Sequence, residues 1–196
     1  MFALKNTLMW LACLAALSNG SMVHGQVATE AEEPTRVADV VYVATPHDVV
    51  AKMLDFAQIS KDDVVYDLGC GDGRIVATAA RRHGCRAKGF DINPARVEEA
   101  RATVEKYQVS DLVAIEQQDV FELDLTPASV ITLYLLPEMN VRLVPQLEKL
   151  KPGSRVVAQD YGIEGVTPIQ SVRMRSREDG AMHTVMLWTI PLQKDE

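Results

Sequence analysis

Apolar positions switch between two periods along most of this chain, and each switch marks an element. Thr45-Pro46-His47-Asp48 predicts a helix start: Thr45 suits the cap, Pro46 the first helical position, and Asp48 the positive end of the dipole. Val49, Val50, Met53, Leu54 and Ala57 follow at helical spacing, so one face is buried. Val64 to Leu68 is a short β-branched run ending in glycines, which reads as a buried strand. Gly73 to Arg82 predicts a helix stopped by Gly84. Ala87 to Phe90 is a second strand, and Asn93-Pro94 opens another helix. Val113 to Glu116 and Val130 to Leu136 give two more strands. Met139 to Leu150 is a helix ended by Lys151-Pro152-Gly153, and Arg155 to Ala158 is a fifth strand. Val172 to Ser176 and His183 to Ile190 are joined by Glu178-Asp179-Gly180, a hairpin signal.

Strand and helix alternate through five units before the hairpin. This α/β pattern implies a doubly wound, mostly parallel seven-stranded sheet with a C-terminal antiparallel hairpin. Ligands of such sheets sit beyond the carboxyl ends of the strands, where strand order reverses. The site is therefore expected just after Leu68, Phe90, Gln117, Leu133 and Ala158.

The segment before residue 39 follows neither period. Met1 to Lys5 carries one positive charge, Leu8 to Leu17 is apolar, and Ser18 to Gln26 is small and polar. This is the layout of a secretory signal over residues 1–25, followed by an acidic, Pro-containing linker over 26–38 and a domain over 39–196. The expected location is exported or periplasmic. The alternative is an uncleaved anchor with membrane association through this segment, although the apolar run is about half of the ~20 residues a span needs.

Composition narrows the partners. The 196 residues are 47% hydrophobic and 24% charged, as in a globular protein, and the net charge is -7. An acidic surface argues against a nucleic-acid backbone and suits a basic peptide or a small molecule. His47, His83 and His183 are scattered, so no metal site is expected. Cys70 and Cys85 fall at opposite ends of one helix, which disfavours a disulfide. Trp188 reads as core, and Arg173, Arg175 and Arg177 as a solvated strand face.

The chemistry centres on Asp67-Leu68-Gly69-Cys70-Gly71-Asp72-Gly73, between the first strand and a helix. Glycines let the chain turn tightly and let a ligand approach the backbone. A dinucleotide fingerprint would read G-x-G-x-x-G; here the third glycine comes one residue early. Asp67 and Asp72 are awkward beside a pyrophosphate. They suit the cationic amino-acid and sulfonium groups of S-adenosylmethionine (SAM). Asp91, followed by Ile92, ends the second strand, where a carboxylate accepts from ribose hydroxyls. Asp119 follows the third strand, where an acid accepts from an adenine amino group while Val120 or Phe121 packs on the ring.

These motifs resemble class I SAM-dependent methyltransferases, whose fold is Rossmann-like. The resemblance implies that Asp67 and the Gly69–Gly73 loop, Cys70 included, hold the methionine part, Asp91 the ribose and Asp119 the adenine. Tyr42-Val43-Ala44-Thr45-Pro46, Val64 to Val76, and Leu133 to Asn140 (LYLLPEMN) are similar to a narrower family of small methyltransferases. That family includes the enzymes that methylate lysines of the ATP synthase c-subunit and the adenine nucleotide translocase. Gln159-Asp160-Tyr161 departs from the more His-Asp-Phe-like run expected there.

The implied function is N-methylation of a protein lysine. Its alternatives are a small-molecule methyltransferase and a SAM-binding module without catalysis. An Asn-Pro-Pro-aromatic motif, suited to bases and amides, is missing after the fourth strand. Candidate residues for the reaction are Tyr134, to orient an amine; Glu138, to attract a cation; and Asp160, to pair with a substrate ammonium. Tyr42 and Thr45 are candidates to cover the cofactor.

Overall fold

The computed structural model describes residues 42–195. The apolar leader over 1–25 and the linker over 26–38 lie outside the described residues. Helices are α1 (His47–Phe56), α2 (Arg74–His83), α3 (Pro94–Lys106) and α4 (Pro137–Leu147). Strands are β1 (Val64–Leu68), β2 (Arg86–Asp91), β3 (Val113–Gln117), β4 (Val130–Leu133), β5 (Arg155–Gln159), β6 (Gln170–Arg175) and β7 (Met182–Thr189).

The seven strands form one sheet in the order β3-β2-β1-β4-β5-β7-β6. β1 to β5 pair in parallel, and β7 runs antiparallel to both β5 and β6. Both faces are covered, so central strands are apolar on both sides. Val65 joins the core with α1, α2 and α3. Its neighbours Tyr66 and Leu68 face the other core with α4 and Trp188. The chain leaves β1 toward β2 on one side, and β4 pairs on the other. That reversal opens a crevice at the carboxyl end of β1.

Boundaries differ from the pattern in three informative places. α1 begins at His47: Pro46, with ψ of 143°, takes the cap position, and Thr45 makes no side-chain cap bond. β4 stops at Leu133, in register with Leu68, the last residue of β1, and with Ala158, one residue before the end of β5. Tyr134 is therefore the first residue beyond the sheet. α4 starts at Pro137, whose missing N–H is harmless there, and ends at Leu147. Asn93 caps α3 by accepting from the Ala95 N–H, and Gly84 closes α2 in a left-handed conformation. Cys70 and Cys85 are free. Among the described residues no helix is long and apolar enough to cross a membrane.

At the opposite sheet edge, buried Asp63 accepts from Ser129 Oγ (2.6 Å) and the Ser60 N–H (2.8 Å), and pairs with Arg155. Arg155 also donates to the Ala57 carbonyl (2.7 Å). This network ties α1 to β1, β4 and β5, far from the crevice. Asp63→Ala strands a partly buried guanidinium, so it should cost about 2–4 kcal/mol of stability, with ligand affinity preserved below the melting transition. Chemical denaturation with and without ligand checks both halves.

Candidate functional site

The crevice lies beyond the carboxyl ends of β1, β2, β3 and β4, as the topology requires. The glycine turn is its floor. Gly69, Gly71 and Gly73 have φ of 76°, 53° and 75°. The N–H groups of Gly69 and Cys70 both donate to the Phe90 carbonyl, at 2.9 and 2.8 Å. The Gly71 N–H donates to Asp91 Oδ2 (3.0 Å). Tyr42 lies directly over Gly71: a β-carbon there would stand 2.1 Å from its Cε2. The turn is thus bound to β2 on one side and roofed by Tyr42 on the other.

Asp67 sits inside this floor, 2% exposed. Its Oδ1 accepts from Thr132 Oγ1 (2.5 Å), the residue opposite it on β4. Its Oδ2 is buried and has no hydrogen-bond partner among the described residues. Burial, reinforced by the Asp91 and Asp72 carboxylates, pushes the Asp67 carboxyl up to about 7. A buried acceptor left orphaned at a cleft wall has a place for a donor, and a cationic donor fits best.

Asp72 is held differently. Burial alone would raise it, but Arg74 reaches it through Nη2 (2.7 Å) and Nε (3.0 Å) and holds it below the usual carboxylate range. Arg74 Nη1 donates to the Thr45 carbonyl (2.8 Å), which fixes the chain entering α1 against the glycine turn. Burial and then the Asp72 charge push the Tyr42 hydroxyl up to about 12, so it stays protonated. The Arg96 guanidinium lies over the Tyr42 ring, 4.8 Å from its centre.

Asp91 Oδ1 accepts from the Asn93 N–H (2.9 Å), so the carboxylate stands at the junction of the glycine turn and α3. Asp119 Oδ1 accepts from the Phe121 N–H (3.0 Å) and caps a 3-10 turn, Val120–Glu122. Ile92, Val120 and Phe121 line this part of the cleft with apolar surface. At the other end Tyr134, Leu135, Met139 and Tyr161 line it, and the Tyr134 and Tyr161 rings stack at 6.1 Å and 16°. Burial, then the nearby Asp160 carboxylate, raises the Tyr134 hydroxyl above its ordinary value.

Most sequence-predicted residues are gathered here. Tyr42, Thr45, Asp67, Gly69, Cys70, Asp91, Ile92, Asp119, Val120 and Tyr134 line one cleft. Gly71 and Gly73 shape the turn from behind, and Gly73 packs on α3, where a β-carbon would meet Ala100 at 2.9 Å. Glu138 is not brought in: it is exposed on the first turn of α4, the favourable end of the dipole. Asp160 does not line the cleft either. Its carboxylate accepts from the Thr184 N–H (2.7 Å) and meets His183 Nδ1 (2.8 Å).

Sequence reasoning passed over Thr132, Arg74, Arg96 and His183. Thr132 carried a signal, a polar residue in the apolar run VITL. His183 carried little, because one partner, Asp160, is 23 residues away just after β5, although the other, Asp179, is only four residues away in the β6–β7 turn.

The cleft fits SAM in its donor set. The orphaned Asp67 oxygen offers a place for a cation, Asp91 offers a carboxylate at the end of β2, and Val120 and Phe121 offer a face for an aromatic ring.

Comparison with known proteins agrees. The ANTKMT methyltransferase domain family matches residues 67–170. A protein-lysine N-methyltransferase of Saccharolobus islandicus is 46% identical over 157 residues, 79% of this chain and 96% of that protein. The ATP synthase c-subunit lysine N-methyltransferase of Homo sapiens is 30% identical over 103 residues, 52% of this chain and 44% of that protein. A Salinibacter ruber structure, described as an RNA methyltransferase in complex with S-adenosyl-L-homocysteine, is 44% identical with a TM-score of 0.72. It covers 79% of this chain and 97% of that one. With its glycine turn, its 3-2-1-4-5-7-6 sheet and this match across its central half, the chain belongs to the ANTKMT methyltransferase domain family.

Proposed function

We propose that this protein is a SAM-dependent N-methyltransferase acting on a protein lysine. The observation that carries the reading is the orphaned Asp67 oxygen in a cleft that runs from carboxylates at one end to a tyrosine pair at the other. The 46% identity to a protein-lysine N-methyltransferase over nearly that protein's whole length supports the acceptor class.

When bound, SAM supplies an electrophilic methyl group on a sulfonium cation. Asp67 Oδ2 and the Gly69–Gly73 turn take the amino-acid part, Asp91 the ribose hydroxyls, and Asp119 with Val120 and Phe121 the adenine. Tyr42, pinned across Gly71 and backed by Arg96, excludes water from the methionine end. Displacement at a methyl carbon needs alignment and a dry path more than a metal. Leu135 and Met139 supply the dry wall. Tyr134 and Tyr161 form the acceptor end, where parallel aromatic faces guide an alkylammonium by cation–π attraction. The negative cleft draws the lysine ammonium in, and the lysine must release its proton to solvent before attack, a step the apolar wall favours because burial destabilises the charged form.

Asp91→Ala removes the ribose acceptor and also frees the Gly71 and Asn93 N–H groups. It should weaken SAM by about 1–3 kcal/mol in a calorimetric titration, and an unchanged affinity would refute the ribose role.

The acceptor is tested by incubating the protein with methyl-labelled SAM and cell extract. N-methyllysine in the hydrolysate of a labelled protein band is the expected result. Label confined to RNA, the acceptor named for the Salinibacter protein, or to low-mass compounds would overturn the lysine reading. For location, we propose export directed by the Leu8–Leu17 run. A mature N-terminus that still begins at Met1 would contradict cleavage.

A further inference from the structure

Asp160 follows β5 with φ of 57°, in the left-handed region that side chains enter at a cost and that Asp and Asn tolerate best after glycine. Several bonds hold this corner, among them contacts of Gln159 Nε2 with Asp160 Oδ2 (3.2 Å) and His183 Nδ1 (3.0 Å). The Asp160 N–H donates to the Thr184 carbonyl (2.7 Å), and the Thr184 N–H returns to Asp160 Oδ1 (2.7 Å). His183 Nδ1 meets Asp160 Oδ2 (2.8 Å), while His183 Nε2 meets Asp179 Oδ2 in the β6–β7 turn (3.0 Å). His183 is 8% exposed, so one buried imidazole joins β5, β7 and the hairpin turn.

The left-handed residue sets the direction of the next one. Tyr161 leaves the corner, and its ring comes parallel to Tyr134. Fully buried Asn140 of α4 receives the chain there, donating to the Tyr161 carbonyl (3.2 Å) and the Gly162 carbonyl (3.1 Å). Both Asp160 oxygens have partners within the protein, and Asp160 is not among the residues that line the cleft.

We propose that His183 is a positioning residue for the methyl acceptor: through Asp160 it locks the left-handed corner that presents Tyr161 to Tyr134, and the Asp160 carboxylate serves this lock and does not touch substrate. The proposal rests on the reading of the tyrosine pair as the acceptor end. It assigns Asp160 a conformational task in place of the ammonium partner expected from the sequence. A conformational task is recoverable by a residue that prefers the same backbone, whereas a charge contact is not.

The test compares His183→Ala, Asp160→Ala and Asp160→Gly. Calorimetry with SAM, acceptor KM for the protein band labelled by wild type, and crystal structures with S-adenosylhomocysteine are the readouts. His183→Ala and Asp160→Ala should raise acceptor KM at least about tenfold and part the tyrosine rings, with SAM affinity within about threefold of wild type. Asp160→Gly should recover most of what Asp160→Ala loses, because glycine takes this corner without help. If His183→Ala does not fold, His183→Gln reads the same arm. Asp160→Gly no better than Asp160→Ala, or a histidine variant with unaltered KM and an intact ring pair, would overturn the proposal. Should no lysine-bearing band be labelled, the lysine reading fails by itself, and the ring geometry in the crystals still decides this one.

Discussion

Between about pH 5.5 and about pH 7.5, the affinity for SAM is expected to rise roughly 20-fold through a single residue, Asp67. Its carboxyl titrates near 7 without ligand, because burial opposes the charge and two acids stand nearby. A cationic ligand needs the carboxylate, so each pH unit below 7 costs close to tenfold in binding. An α-amino group keeps most of its proton below about pH 7.5, so the ligand's charge changes little in this window. Asp72 does not share the effect, since Arg74 keeps it ionised throughout. Asp67→Asn should flatten the dependence. A wild-type affinity that is constant over the range would remove Asp67 from the cationic end of the ligand.

The same shift has a consequence for stability, with the opposite sense. The folded protein keeps a proton on Asp67 up to about 7, while the unfolded chain releases it near 4. Between those values the folded state binds more protons, so ligand-free stability from this group falls as pH rises through the window. SAM offsets that loss by supplying the missing cation. Its stabilising effect, read as a melting shift at fixed ligand concentration, should therefore be larger at about pH 7.5 than at about pH 5.5.

Gly71→Val is expected to lower SAM affinity by at least about a hundredfold while leaving the protein folded. Two independent effects add there. The residue has φ of 53°, which a β-branched side chain avoids. The added β-carbon would also fall 2.1 Å from the Tyr42 ring, so the roof must lift. Gly84→Ala is the matched control: it shares a positive φ of 68° but meets nothing within 4 Å, and it lies at the far end of α2. It should cost about 1 kcal/mol of stability and leave SAM binding unchanged. Normal binding by Gly71→Val would detach the ligand from the glycine turn.

The two periodicities made the sheet legible, because parallel strands buried on both faces must be short and apolar. Asp67, Asp91 and Asp119 were legible for a related reason: each lies at or within two residues of a strand's carboxyl end, and those ends share one edge. The apolar run Val130–Leu136 reads as one strand, but β4 ends three residues short of it, at Leu133, level with the end of β1 at Leu68. That difference frees Tyr134 to line the cleft. Glu138 and Asp160 show the limit of position-based reasoning. Both lie near the correct edge, yet Glu138 points to solvent on a helix and Asp160 is consumed by β7. Whether an acid at a strand end faces ligand or protein depends on its tertiary partners. For Asp160 those partners are His183 and Thr184, remote in sequence and silent in any local pattern.

The most direct measurement is a crystal structure with S-adenosylhomocysteine. The expected density places the amino group on Asp67 Oδ2, both ribose hydroxyls on Asp91, and the adenine beside Val120 and Phe121. Density bound elsewhere, or a glycine turn whose Asp67 oxygen stays unpaired with ligand present, would contradict the cleft as the methyl-donor site.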